Sequence, residues 1–316
     1  MVEFQEDRAA KSGPMPTGGV GGEALGLPRS STCLGTWSGA RPGIMSDRPA
    51  LLPLREVIAA HGLGARHSLG QHFLLDGNLT ARIVRAAGDL DGRNVIEVGP
   101  GPGGLTRALL ASGAAKIVAI ELDPRAVGAI EDLAAVSAGR LTVMRADALR
   151  VDLPELVPPP RQIVANLPYN VASPLLVRWL RQASAYERMT LMFQREVADR
   201  IVAAPDTAAY GRLSVLAGWI CDSHIAVRLP PEAFVPPPKV WSSVVVLTPR
   251  AEQPDPALFA TMERLTAAAF GQRRKMLRGA LKSLGGEALL VRAEIAPDRR
   301  AETLSVAEFD RLARLL

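Results

Sequence analysis

The sequence predicts an α/β fold, in which a doubly wound, mostly parallel sheet is followed by a small all-α domain. First, four short apolar segments between residues 94 and 165 alternate with stretches of helical period, as in parallel sheets whose strands are joined by helices. Second, the pattern becomes purely helical after Pro249, with Pro254 and Pro256 marking a linker. We therefore expect domains at residues 45–250 and 251–316.

Composition narrows the class of protein. The chain has 316 residues, of which 48% are hydrophobic and 22% charged, as in soluble globular proteins with a sizeable core. The net charge of +5 permits a nucleic-acid partner without requiring one. Two cysteines and four histidines in no ligand pattern predict neither a disulfide framework nor a metal site. Because no apolar run has the length of a membrane span and no signal pattern opens the chain, we expect a cytoplasmic protein with no membrane partner.

The first 44 residues differ from the rest of the chain. They are rich in Gly, Ser, Pro and Thr and have no helical or strand period, so they cannot bury enough apolar surface to offset the entropy of ordering. Met45 stands where the periodic pattern begins. Two interpretations remain open, a mis-called upstream extension with Met45 as the natural start, or a disordered tail. In either case we expect no chemistry there.

A polar segment precedes the sheet. Residues 53–64 predict a short helix, and the next loop offers Gln71 and His72 between apolar anchors. Asp76 or Asn78 is predicted to cap the helix that follows. Taken alone, this segment is most simply a loop leading into a capped helix.

Each of four predicted strands ends at or near a residue suited to binding a nucleoside. The glycine-rich turn lets the backbone approach a ligand, and the acid about 20 residues beyond its first glycine is where such folds bind ribose hydroxyls. A later acid can accept a hydrogen bond from an adenine amine. Because ligands bind at the carboxyl ends of the strands, we predict a nucleoside cofactor site. The strands and their following residues are Asn94–Val98 with Gly99–Gly104, Lys116–Ile120 with Glu121, Leu141–Met144 with Asp147, and Gln162–Ala165 with Asn166.

The glycine-rich turn suits NAD as well as S-adenosylmethionine. NAD sites more often show Gly-x-Gly-x-x-Gly, whereas this turn reads Gly-Pro-Gly-Pro-Gly-Gly, and no hydride-transfer partners are evident. The sequence Asn166-Leu167-Pro168-Tyr169 follows the fourth strand. Its amide, carbonyl and aromatic ring suit a flat, amine-bearing ring, although Asn and Pro are also common in ordinary turns. This motif has no evident use in a dehydrogenase, but it does have one in methyl transfer to an amino group.

The remaining elements complete the architecture. Residues 192–200 predict the end of a strand that turns into a helix, and residues 210–216 predict a further helix. Residues 240–247 predict another strand. We expect the strands of this part of the chain to form the antiparallel edge of a seven-stranded sheet. Helical period recurs at 258–270, 275–284 and 306–315. A basic run with no acid follows residue 270 and predicts either a solvated helix face or an RNA phosphate contact, formed by Arg273, Arg274, Lys275, Arg278 and Lys282.

Six motifs lie between residues 68 and 305, namely Ser68–Leu74, Glu97–Gly101, Asn166–Tyr169, Pro231–Val246, Phe270–Lys275 and Arg300–Ser305. In these motifs, and from about Arg66 to its C-terminus, the chain resembles the KsgA-type ribosomal RNA adenine dimethyltransferases. The resemblance implies a Rossmann-like class I methyltransferase sheet and dimethylation at N6 of two adjacent adenosines near the 3′ end of 16S ribosomal RNA. It also implies S-adenosylmethionine as donor, S-adenosylhomocysteine as product and a role in small-subunit biogenesis.

The resemblance also implies roles for single residues. One departure is visible, because the family commonly has Asn where this chain has His72. The implied catalytic residues are Asn166 and Leu167, which accept hydrogen bonds from the target amine, and Tyr169 and Phe234, which stack on the base. The implied cofactor-binding residues are Gln71, His72, Leu74, Gly99, Gly101, Glu121, Asp147 and Asn166.

Two alternatives to the small-subunit enzyme stay open. One is a related adenine N6-methyltransferase acting on 23S ribosomal RNA or on DNA. The other is a ribosome-assembly factor whose binding matters more than its catalysis. The basic helical domain and the Leu after Asn166 favour the small subunit, or its assembly intermediate, through the resemblance alone. We expect a monomer.

Overall fold

A computed structural model describes residues 51–64, 71–272 and 274–316. Predictions about residues 1–50, about the Ser68–Gly70 part of the first motif and about Arg273 lie outside these described residues. No helix among the described residues is long and apolar enough to cross a membrane.

Helices and strands alternate through the first two thirds of the described chain and give way to helices at its end. The helices are α1 Leu54–Ala60, α2 Gly77–Ala86, α3 Gly104–Leu110, α4 Pro124–Ala135, α5 Ala172–Leu180, α6 Arg195–Ile201, α7 Arg212–Ile220, α8 Pro256–Gly271, α9 Leu277–Ala280, α10 Gly286–Arg292 and α11 Val306–Arg314. The strands are β1 Phe73–Leu74, β2 Asn94–Val98, β3 Lys116–Glu121, β4 Leu141–Arg145, β5 Arg161–Asn166, β6 Arg188–Gln194, β7 Cys221–Leu229, β8 Phe234–Val235 and β9 Ser242–Pro249.

The main sheet has seven strands in the order β4-β3-β2-β5-β6-β9-β7. The first five are parallel, and β9 and β7 pair antiparallel, which confirms the predicted mixed sheet with an antiparallel edge. Strand β7 was not predicted. Its outward-facing side chains include Asp222, His224 and Arg228, so its sequence lacks the apolar run that marks the inner strands.

A second sheet consists only of β1 and β8. Phe73 pairs with Val235 and Leu74 with Phe234. This pairing, which sequence reasoning did not predict, joins the segment that carries Gln71 to the proline-rich loop before β9. Two distant stretches of chain therefore meet at one end of the main sheet.

Polar side chains cap the starts of two helices, one of them as predicted. The Asp76 side chain accepts hydrogen bonds from the backbone N–H groups of Asn78 and Leu79, which confirms Asp76 as the cap of α2. Ser305 and Glu308 form a capping box at α11. The caps place both helices where the sequence pattern predicts them, within a residue or two.

The C-terminal helices pack on the helical layer that covers one face of the sheet. The Tyr210 hydroxyl donates to the backbone oxygen of Leu304 at 2.9 Å, and Trp219 stacks on Phe259 with ring centroids 6.0 Å apart. The predicted helix at 275–284 consists of α9 followed by a short 3₁₀ turn, and α10 was not predicted. One apolar core thus runs through both predicted domains, whose boundary at residue 250 stays a prediction.

Candidate active site

A cavity opens at the carboxyl ends of the parallel strands, where the sequence predicts a cofactor. Its walls come from the segment after residue 70, the glycine-rich turn, the end of β3 and the turn after β5. The lining residues are Gln71–Leu74, Glu97, Gly99–Pro102, Gly104, Leu105, Glu121–Asp123 and Asn166–Val171. Most of the predicted cofactor and catalytic residues are therefore brought together.

The glycine-rich turn forms the floor of the cavity. Gly99 and Gly101 have positive φ angles of 71° and 54°, which side-chain-bearing residues rarely adopt. A Cβ on Gly101 would also lie 3.0 Å from the Phe73 ring. The turn consequently needs glycine for both conformation and space, and its backbone is left open to a ligand.

Glu121 ends β3 beside this turn. One carboxylate oxygen accepts from the backbone N–H groups of Leu122 and Asp123 at 2.7 and 2.8 Å, and the other accepts from Gly101 N–H at 3.3 Å. Burial raises the pKa of the carboxyl, while these N–H groups oppose the rise. The side chain is thus held rigidly at the place where such folds bind ribose.

Glu97 is a buried acid that sequence reasoning did not assign. It lies in β2, is 1% exposed and lines the cavity, and its Oε2 has no hydrogen-bond partner among the described residues. Burial raises its pKa to about 8, and the nearby charge of Glu121 acts in the same direction. The sequence gives no signal for Glu97 as a cavity residue, because the apolar pattern around it indicates only a buried strand.

Asp123 was also missed. It is 4% exposed, lines the cavity and caps α4. Arg125 donates to both of its carboxylate oxygens, which lowers the pKa of Asp123, and the Gln71 amide lies 3.4 Å away. The sequence does carry a signal for Asp123, because this acid comes two residues after Glu121 and directly before a proline, a pattern typical of a helix start near the ligand-binding edge.

The charged side chains that line the cavity favour S-adenosylmethionine over a dinucleotide as the cofactor. Three acids line the cavity, Glu97, Glu121 and Asp123, and no Lys or Arg is found among the described lining residues. A dinucleotide carries a diphosphate, and no Lys or Arg of the described lining could pair with it. S-adenosylmethionine instead carries a sulfonium and an ammonium, and the free oxygen of Glu97 suits a polar group. The residues present therefore fit S-adenosylmethionine.

Asn166 lies at the end of β5, opposite the glycine-rich turn. Its Nδ2 donates to the backbone oxygen of His72 at 3.2 Å, which leaves Oδ1 as the free end of the amide. Leu167 follows and is buried at 1% exposure. The amide is thus fixed by a contact between two segments far apart in the chain.

Tyr169 is held on two sides. Its hydroxyl lies 2.6 Å from Ser242 Oγ, and its ring stacks on His72 with centroids 5.3 Å apart. The His72 Nδ1 donates to the backbone oxygen of Pro236 at 2.8 Å. Burial raises the pKa of Tyr169, so its hydroxyl stays protonated at neutral pH. His72 thereby joins Tyr169 to the proline-rich loop.

Two of the predicted residues lie outside the cavity lining. Asp147 accepts a hydrogen bond from Leu149 N–H at 2.9 Å and closes its own turn. Phe234 is 2% exposed and packs in the apolar core beneath β1. An adenine contact by Asp147 and stacking by Phe234 stay predictions, and the latter requires the loop around β8 to move.

The described part of the basic run lies on the surface. Arg274, Lys275, Arg278 and Lys282 are all exposed, on and around the short helix α9. Exposed cations without a covering element are available to phosphate groups. An RNA contact remains a prediction for these residues.

A mostly parallel seven-stranded sheet, with a glycine-rich turn and acids at its strand ends, defines a class I methyltransferase. The model of the family described as ribosomal RNA adenine dimethylase matches residues 62–316. The chain belongs to this family, whose members use S-adenosylmethionine as methyl donor. The resemblance, the fold class and the cofactor expected from the sequence are thereby confirmed.

Named relatives support the assignment. The chain is 60% identical over 287 residues to a ribosomal RNA small subunit methyltransferase A of Gluconobacter oxydans, covering 91% of this chain and 93% of the relative. A protein of the same name from Paramagnetospirillum magneticum is 59% identical over 273 residues, covering 86% and 96%.

Solved structures show the same architecture. A dimethyladenosine transferase from Plasmodium falciparum has a TM-score of 0.65 at 24% identity, covering 76% of this chain and 96% of that one, which shows the shared fold. The 23S rRNA methyltransferase ErmE has a TM-score of 0.57 at 27% identity, covering 77% and 99%.

Proposed function

We propose that the protein dimethylates N6 of two adjacent adenosines near the 3′ end of 16S ribosomal RNA. The observation that carries the chemistry is the orientation of Asn166, whose amide oxygen is the free end of its side chain at the mouth of the acid-lined cavity. The target is supported by relatives near 60% identity named for the small subunit, against 27% for the 23S rRNA enzyme.

The residues act mainly by positioning. An adenine N6 lone pair is delocalised into the ring, so the amine is a poor nucleophile. Asn166 Oδ1 and the Leu167 carbonyl accept its N–H groups and favour a more tetrahedral nitrogen, whose lone pair then points at the methyl group. S-adenosylmethionine, when bound, would supply that methyl from its sulfonium, with S-adenosylhomocysteine as the leaving group. The amine proton becomes acidic once the nitrogen carries the methyl and leaves to water.

The target base must leave its RNA stack to reach the cavity. Tyr169 provides an aromatic face for it, and Phe234 is proposed as the second face after rearrangement of its loop. The cofactor side is proposed to use the acids, the glycine-rich turn and the segment Gln71–Leu74, together with Asp147 for the adenine of the donor.

The RNA contact is proposed to lie in the C-terminal helices. Arg273, Arg274, Lys275, Arg278 and Lys282 carry five positive charges within ten residues, and the four described ones are exposed. Neutralising backbone phosphates with such a run anchors RNA without reading its sequence. We further propose a monomer that acts in the cytoplasm on the small subunit or its assembly intermediate.

One experiment tests the proposal against its alternatives. The protein is incubated with labelled S-adenosylmethionine and with undermethylated small subunits, large subunits or DNA, and modified adenosines are mapped. Label confined to adjacent adenosines of 16S ribosomal RNA is expected. Label in 23S ribosomal RNA or DNA would establish the related methyltransferase instead, and binding without transfer would establish an assembly factor. Asn166→Ala is expected to abolish transfer while RNA binding remains.

A further inference from the structure

Trp241 is unusually exposed for its residue type. Its relative exposure is 45%, whereas Trp179 is fully buried and Trp219 stacks on Phe259 and donates to Asp310. Aromatic side chains on this scale are normally buried or held by a polar partner. Packing in the core therefore does not explain why a tryptophan stands at this position.

The position of Trp241 is fixed next to the active site. Its backbone oxygen accepts from Arg195 N–H at 2.8 Å, where β6 passes into α6. The following residue, Ser242, begins β9 and lies 2.6 Å from the Tyr169 hydroxyl. Trp241 is thus one residue away from the contact that holds the proposed base-stacking ring.

Two cations lie close to the Trp241 backbone, Lys239 two residues before it and Arg195, whose N–H donates to its carbonyl. Arg195 and Lys239 are both exposed, as is the apolar Val240 beside Trp241. On the same helix, Arg200 is instead paired with Glu196. Arg195, Lys239, Val240 and Trp241 are called the Trp241 surface below. It combines an aromatic face with positive charge, which is the pairing that single-stranded nucleic acid requires.

We propose that the Trp241 surface binds an unpaired nucleotide that flanks the target adenosine, with its base stacked on Trp241 and its phosphate near Arg195 and Lys239. This inference rests on the proposed function, because a flanking nucleotide presupposes an RNA substrate. A base removed from its stack leaves its neighbours unstacked, and an aromatic platform beside the cavity compensates for that loss. Stacking tolerates any base, so the surface adds affinity and orientation rather than sequence preference.

Trp241→Ala tests the surface through kinetics. Loss of one base stack is expected to raise KM for the RNA substrate about tenfold, with affinity for S-adenosylmethionine unchanged. Trp241→Phe keeps a stacking face and is expected to stay within about threefold of the wild type. Val291→Ala removes another exposed apolar residue, on α10, and is the control. An unchanged KM in Trp241→Ala would overturn the proposal.

Fluorescence tests the same contact without catalysis. A short single-stranded RNA with two adjacent adenosines is expected to quench tryptophan emission in the wild type, and the quench is expected to disappear in Trp241→Phe. A quench that persists in Trp241→Phe, or none in the wild type, would overturn the proposal. If the wild type transfers no methyl to small subunits, the proposed function fails, whereas the quench still reports on the surface.

Discussion

The side-chain amide nitrogen of Asn166 donates to the backbone oxygen of His72, a residue 94 positions earlier in the chain, at 3.2 Å. Amide nitrogen and oxygen have opposite hydrogen-bonding roles, so this contact leaves the acceptor, Oδ1, as the end of Asn166 that is free for the proposed target amine. The acceptor needed for an N–H donor is thereby oriented before substrate arrives, as preorganised sites require.

Asn166→Asp tests this orientation. The carboxylate keeps an acceptor but cannot donate to His72, and it repels that carbonyl, so we expect kcat to fall by about 10²-fold to 10³-fold. Steady-state methylation of small subunits measures the effect. Asn94→Asp is the matched control. The Asn94 amide also donates to a backbone carbonyl, that of Pro158, but Asn94 is the first residue of β2 and so lies at the end of the sheet away from the cavity. Equal losses in both variants would show that stability, not orientation, is responsible.

His72→Ala tests the link that His72 makes between Tyr169 and the proline-rich loop. It removes both the stack on Tyr169 and the bond to Pro236, so we expect kcat to fall roughly tenfold and His72→Asn, the common family residue, to restore part of it. Calorimetric binding of S-adenosylmethionine separates a cofactor effect from a positioning effect. His224→Ala, on the exposed edge strand, is the control. Wild-type kinetics in His72→Ala would contradict the role.

Glu97 makes stability depend on pH. Its folded pKa of about 8 lies above the ordinary value, so the folded state binds the proton more tightly and stability falls as pH rises between about 4.5 and 8. The slope is about 1.4 kcal/mol per pH unit within that window. Glu97→Gln is expected to remove this slope in the cofactor-free protein and to be more stable than the wild type at pH 8.

Urea unfolding at several pH values measures the effect. Gln is close in size to Glu, so packing is preserved and the change reports on charge. The control is Glu131→Gln, on the exposed face of α4, which is expected to leave the pH dependence unchanged. A Glu97→Gln variant with the wild-type slope would show that Glu97 is ionised in the folded protein.

The double substitution Arg273→Ala and Arg274→Ala tests the RNA contact. Each lost phosphate contact lowers the slope of log affinity against log salt by about 0.7 to 0.9, so we expect weaker binding and a slope reduced by roughly 1.5. Filter binding at several salt concentrations measures both. The control is the double variant Arg55→Ala with Arg82→Ala, which removes the same charge from exposed positions of α1 and α2. Unchanged RNA affinity in the first double variant would count against the contact.

Local sequence patterns predicted the residues at the strand ends that line the cavity, because glycines and polar residues that follow apolar segments can be recognised in the sequence. Gly99, Glu121 and Asn166 all meet at the cavity for this reason. Glu97 was not predicted, because a single acid inside an apolar strand does not change the hydrophobic pattern of that strand. The contact of His72 with Pro236 spans 164 residues and depends on the pairing of β1 with β8, which no local pattern indicates.

Methylation of undermethylated small subunits, followed by mapping of the modified residues, tests the central claim most directly. We expect dimethylation at N6 of two adjacent adenosines near the 3′ end of 16S ribosomal RNA, and none with Asn166→Ala. Methylation of 23S ribosomal RNA alone, or wild-type transfer by Asn166→Ala, would contradict the account.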